Sequence, residues 1–205
     1  GAVWKSLDGG ETWQKTLGLG LYNRHGQSLE VDPVDSDTVF FIADQNWNWL
    51  VDSSYEGLYR SRDGGDSWVQ VLSVTSSINR VNRHNIAYDP SSVGANGASV
   101  WYVAFPQEGL YRSADGGDNW TQMADLSAHD RVYQVQVHPT SGRVVLASSL
   151  GLFASDEDGF HLRTLGDLPT GEVSSIQINP DDPSILYTTI ATIWDAAHIN
   201  DSHRG

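Results

Sequence analysis

The chain has 205 residues, 39% hydrophobic and 10% aromatic, which is enough for one sizeable β domain. Its 26 acidic and 12 basic residues leave a net charge of −14, and charge repulsion disfavours a nucleic-acid partner. The absence of cysteine excludes disulfides and thiolate metal sites, and no apolar run is long enough for a membrane span.

The chain opens on "GAVWKS" (Gly1–Ser6), a short strand. "SLDGGETW" follows, with Ser6, Asp8, Gly10 and Trp13 at fixed spacing. The same S-x-D-x-G-x-x-W pattern returns at Ser61, Asp63, Gly65 and Trp68, and at Ser113, Asp115, Gly117 and Trp120. A decayed copy, "SDEDGFHL", begins at Ser155, with Glu157 and Leu162 at the Asp and Trp places. A catalytic loop is rarely needed four times in one chain, so these boxes read as structure. Asp and Ser side chains bond turn amides, glycine takes positive φ, and the indoles bury ring area. A calcium loop would need more oxygen ligands and a closing Glu, so no metal is expected.

Each box lies between a "GLYRS"-type strand (Gly57–Ser61, Gly109–Ser113, Gly151–Ser155) and a following strand such as "SWVQVL". Two strands precede it. The first ends in a polar residue and proline: "SLEVDP", "NIAYDP", "VYQVQVHP" and "VSSIQINP". The second is apolar: "TVFFIAD", "SVWYVAF", "RVVLAS" and "ILYTTI". The repeated order is therefore A, B, C, box, D, with no amphipathic helix. An interval of this size matches a four-stranded propeller blade. The expected fold is all-β: a β-propeller of antiparallel blades over about four repeats, with the boxes between strands C and D. The expected division is a half blade at 1–22, blades at 23–81, 82–130 and 131–171, and a half blade at 172–205. Either the two halves pair into a four-bladed ring, or the chain is part of a larger propeller.

The boxes and the "VDP…VFF…GLYRSRDGGDSW" cadence resemble Asp-box (BNR-repeat) propellers over nearly the whole chain. This superfamily includes sialidases, sortilin-type receptors, photosystem assembly factors and the two-propeller xyloglucan-hydrolysing glycosidases, and the cadence is most similar to the last. That resemblance implies a secreted polysaccharide hydrolase, extracellular or periplasmic, without cofactor. It also implies a second propeller carrying the acid, or a carbohydrate-binding module, elsewhere in a longer chain. The alternatives are a non-catalytic interaction propeller of receptor or assembly-factor type, and a sialidase-like protein binding an acidic sugar.

In a propeller the B–C and D–A loops open on the face opposite the boxes. The B–C insert Ala43–Gly57 is long and carries Asp44, Trp47, Trp49, Asp52 and Tyr55. Aromatic rings suit sugar faces and carboxylates suit glycoside chemistry. The plainer reading is that the indoles plug a gap between blades. By resemblance Asp44 is the candidate base, since the family carries its base after a B strand, in a stretch ending with Gly, an aromatic residue and Arg. The family's loop is short where this one is long, and a strand-end Asp also closes turns. "NRH" at Asn23–His25, "NRH" at Asn82–His84 and "HDR" at His129–Arg131 precede A strands. Arg24, His25, Arg83, His84 and Arg131 are therefore expected around the axis as substrate-binding groups, or else paired with acidic neighbours.

Overall fold

A computed structural model describes residues 2–18, 24–45, 56–74, 81–129, 131–155, 161–169 and 171–191, with backbone alone at 2, 17, 18, 24–27, 44, 45, 81–83 and 191. The first strands are β1 (Ala2–Lys5) and β2 (Gln14–Gly18), a two-stranded sheet. Strands β3 (Arg24–Val31), β4 (Val39–Gln45), β5 (Gly57–Ser61) and β6 (Val69–Ser73) form an antiparallel sheet in chain order. The short β7 (Val81–His84) and β8 (Ile86–Tyr88) follow, then a 3-10 turn at Pro90–Ser92 and a small hairpin, β9 (Val93–Gly94) with β10 (Gly97–Ala98). β8 is the first strand of a second four-stranded sheet with β11 (Trp101–Phe105), β12 (Gly109–Ser113) and β13 (Thr121–Asp125). A third sheet holds β14 (Val132–Val137), β15 (Val144–Ser148), β16 (Gly151–Ser155) and β17 (Leu162–Thr164). β18 (Glu172–Ile178) and β19 (Leu186–Ala191) close the described chain.

The second strand of each of these three larger sheets is buried on both faces, as Val39–Ala43, Trp101–Phe105 and Val144–Ser148 show. A strand buried on both faces reads as a continuous apolar run rather than an alternating one. Neighbouring sheets therefore sandwich one another, and the architecture is a β-propeller. Strand β7 departs from the simple order. It lies parallel to β14 (Val132↔Val81, Gln134↔His84) and so adds a fifth strand at the inner edge of the third sheet. The β9–β10 hairpin is a second feature that the sequence did not announce.

The repeat extends to its irregularities. Inner strands skip one residue between Gly26 and Ser28, Val132 and Gln134, and Val173 and Ser175. Outer pairs shift between Val3 and Trp4, Leu58 and Tyr59, and Leu110 and Tyr111. Such bulges bend a strand and re-aim side chains at sheet rims.

The three described boxes close by one hydrogen-bond scheme. In the second, Ser61 Oγ donates to Asp63 Oδ1 (2.7 Å) and accepts from the Gly65 amide (2.7 Å). Asp63 then accepts from the Ser67 amide (2.8 Å), and Trp68 Nε1 donates to Gly65 O (2.8 Å). The boxes at Ser6 and Ser113 repeat these bonds. The indoles differ in cover: Trp68 meets Phe41 edge-on and Trp120 meets Phe40, but Trp13 is 59% exposed with no ring partner among the described residues. Ser113 is itself buried, and Ser113→Ala strands the buried Gly117 amide. A loss of about 1–3 kcal/mol is expected in denaturant titrations, with the far-UV spectrum unchanged.

These bonds hold the Asp8, Asp63 and Asp115 carboxyls at about 2, from the ordinary 3.8. The leading causes are the Thr12 hydroxyl, the Ser67 hydroxyl and the Asn119 amide respectively. A carboxyl whose pKa is depressed on folding stabilises above its unfolded value, and that stability is lost as pH falls through the folded value. The boxes should therefore weaken between pH 3.8 and about 2. Thermal melts of Asp63→Asn against the parent check this: the two should converge at the acid end of that window.

The sheets are also joined through the boxes. Arg60, on β5, donates to Gly116 O (3.0 Å) and to Asp118 Oδ1 (2.7 Å) in the next box. Lys5, just before the first box, brings its Nζ beside Gly64 in the second. Apolar packing does the larger share: Phe40 of the first four-stranded sheet meets Trp101 (4.6 Å between centroids) and Trp120 (6.2 Å) of the second. The two terminal pairs, β1–β2 and β18–β19, remain separate two-stranded sheets; neither is hydrogen-bonded to the other among the described residues. Trp4, Trp13 and Tyr187 are exposed, while Ile176 is fully buried.

Candidate functional site

Strand direction fixes which loops share an end. The Gly64 amide bonds Asp37 O and the Gly116 amide bonds Ser99 O, so the boxes sit beside the turns between first and second strands. At the opposite end β3 begins and β4 finishes, with His25 across from Asp44 and Arg24 across from Gln45. The backbone of Asp44, Arg24 and His25 thus lies at one sheet end, away from the boxes. Arg83 and His84 end β7, which runs parallel to β14 and beside β3, and Arg131 immediately precedes β14. The backbone of Arg24, His25 and Arg131 thus lies at or just before the starts of β3 and β14, the inner-strand rim, while His84, at the end of β7, pairs with Gln134 within β14. Trp47, Trp49, Asp52 and Tyr55 lie outside the described residues.

Arg131 sits in a defined polar cluster. Its Nη1 lies 3.4 Å from the Tyr133 hydroxyl and 3.6 Å from Glu172 Oε2, and Tyr133 donates to the same carboxylate oxygen. Tyr133 is the residue skipped by the β14 bulge, and Glu172 is the first residue of β18, so two inner strands meet here. Burial pushes the Tyr133 hydroxyl above its ordinary value, so it acts as a hydrogen-bond donor near neutral pH. Arg131 and Glu172 remain partly exposed, at 41% and 32%.

His129 has a different part. It is buried, with Nδ1 3.0 Å from Ser148 Oγ and its ring edge-on to Phe153. Its amide donates to Leu126 O, and its carbonyl accepts from the Gln107 amide. One residue thus ties together three loops of this rim, with its ring bonded to Ser148 and its backbone to Leu126 and Gln107. Burial lowers its pKa, partly offset by the Asp125 carboxylate, so the neutral ring is favoured. A second buried group was missed by sequence reasoning. Glu56 is fully buried at the corner before β5, where its carbonyl accepts from Gln70 Nε2 (2.8 Å) and the Val74 amide (3.3 Å). Glu108 repeats this corner with Gln122 and Leu126. The signal was present: "EGLYRS" occurs twice, one residue longer than the motif as read.

Between the inner strands runs an open channel of about 330 Å³, lined by Glu30, His84, Tyr88, Gln134 and Gln136 among others. His84 is exposed in it, whereas Gln134 is buried and accepts from the Ile176 amide. Among the described residues no three His, Asp or Glu side chains gather to hold a metal ion, and no helix is long and apolar enough to cross a membrane.

No family model matches the chain. A xyloglucanase from Paenibacillus sp is 33% identical over 142 residues, which is 59% of this chain and 13% of that protein. The chain thus spans a small part of the curated relative it matches. Among solved structures, a GH74 enzyme from Niastella koreensis superimposes with a TM-score of 0.67 at 20% identity, covering 91% of this chain and 29% of that one. YCF48 bound to D1 peptide gives 0.55 at 19% identity, over 93% of this chain and 55% of that one. At such identities the structural likeness speaks for the propeller fold.

Proposed function

We propose that this chain is a polysaccharide-binding propeller portion of a secreted xyloglucan-hydrolysing glycosidase. The observation that carries the reading is the 33% identity to a xyloglucanase over 142 residues. The strand ends favour it too, because Asp44 and the Arg24 and His25 backbone share a sheet end away from the boxes. On this reading Asp44 is the general base that draws a proton from the attacking water. Glycoside hydrolysis needs a second carboxyl group to protonate the leaving oxygen. That acid comes from another part of the full enzyme. Trp47, Trp49 and Tyr55 supply stacking surface, and Arg24, His25, Arg83, His84 and Arg131 bind sugar hydroxyls.

Affinity electrophoresis tests the binding step. The folded chain should be retarded by xyloglucan, with retardation reduced in Trp47→Ala and Trp49→Ala. Asp44→Asn should leave retardation intact and abolish hydrolysis in the full enzyme. No retardation of folded protein by any polysaccharide would favour a second reading, an interaction propeller. That reading has its own support in the likeness to a peptide-bound propeller across 93% of the chain. Retention of the chain on immobilised peptides, with none on glycans, would then be expected.

A further inference from the structure

We propose that Glu172 sets the charge selectivity of the inner-strand rim, so that the rim accepts uncharged sugar hydroxyls and turns away sugar carboxylates. The proposal rests on the polysaccharide reading above and adds a residue to it. Arg131 is the arginine of this rim whose side chain is described, and guanidinium pairs with the carboxylate of a sugar in a planar fork. Glu172 already stands where that carboxylate would stand, 3.6 Å from Arg131 Nη1. Tyr133 donates to the same Glu172 oxygen and so holds the carboxylate in place from the other side. The β14 bulge that skips Tyr133 lies where β14 approaches β18, and it brings these groups together from residues 131, 133 and 172. Arg131 and Glu172 contribute one charge of each sign here among the described residues. A sugar carboxylate entering the cluster would have to displace Glu172 or be desolvated beside it, at a cost in either case. A sugar hydroxyl meets neither obstacle: it donates to Glu172 and accepts from an Arg131 N–H.

Glu172 is partly exposed, so replacing it leaves the core in place. The experiment compares retardation in gels containing xyloglucan with that in gels containing polygalacturonate. In Glu172→Gln the ratio of polygalacturonate to xyloglucan affinity should rise about three- to tenfold, and the gain should fade as salt is added. Glu172→Ser serves the same purpose should the glutamine variant not fold. Asp66→Asn removes one exposed carboxylate in the second box, at the opposite end, and controls for overall charge; its ratio should match the parent's. Tyr133→Phe removes the hydroxyl that holds Glu172, so it should raise the ratio in the same direction, by less than Glu172→Gln does. An unchanged ratio in Glu172→Gln, or an equal rise in Asp66→Asn, overturns the proposal while polysaccharide binding stands. Folded parent protein retarded by neither polymer removes both the binding reading and this proposal.

Discussion

Replacing Trp101 with alanine is expected to destabilise the chain by about 3–5 kcal/mol, one of the two largest single-residue effects we anticipate. Trp101 is fully buried and is the largest side chain in the core. It contacts Phe40 of the preceding sheet at 4.6 Å and Tyr88 of its own sheet at 5.6 Å, so its removal opens a cavity between sheets. Its Nε1 also donates to Ala98 O at 2.8 Å, which anchors the β9–β10 hairpin. Trp101→Phe separates the two contributions, because it retains a ring and loses the N–H. It should cost about 1–3 kcal/mol, the range for a buried carbonyl left without its donor. Urea unfolding followed by far-UV dichroism measures both. A loss below 1 kcal/mol for Trp101→Ala would mean that the sheets are not held by this aromatic contact.

Gly117→Ala should have a comparable effect through a different route. Gly117 has φ +86°, where a side chain is strained by about 1–2 kcal/mol. A Cβ there would also stand 2.4 Å from Phe40 Cζ, and Phe40 is fully buried with no room to withdraw. Overpacking of this kind typically adds about 1–3 kcal/mol. Gly10→Ala is the matched comparison. Gly10 has a similar φ of +96°, but the nearest atom to its Cβ is Trp13 Cζ2 at 3.7 Å. The difference between the two variants measures the contact with Phe40 alone. Equal losses would leave only the backbone contribution.

Much of the fold was legible because its signals are local. Proline after Asp32, Asp89, His138 and Asn179 marks the end of each inner strand, and the S-x-D-x-G-x-x-W boxes mark each outer turn. Apart from the Glu56 corner, the features that escaped are those with no residue signature. A bulge at Tyr133 depends on how β14 meets its neighbours, not on tyrosine. The β9–β10 hairpin has two residues per strand, too few for a period to show. The parallel pairing of β7 with β14 joins segments about 50 residues apart, and nothing in either segment announces the other. "HDR" placed Arg131 at the head of an inner strand, whereas its partner Glu172 lies in the next repeat. For Asp44 the reading went as far as the end of the second strand, and its place opposite His25 came with the structure.

The bond from Arg60 to Asp118 spans 58 residues, about one repeat, and Lys5 stands in the same relation to the second box. A contact that spans one period has a consequence for how such a chain can lengthen. If a whole repeat is duplicated, the new copy brings a cation for the box after it and a box for the cation before it. Both joints are made at once, with no compensating substitution. Duplications of part of a repeat lack this property, which favours growth in whole units. Ala154 occupies the place of Arg60 in the third sheet, so a copy inserted after it would begin without that joint.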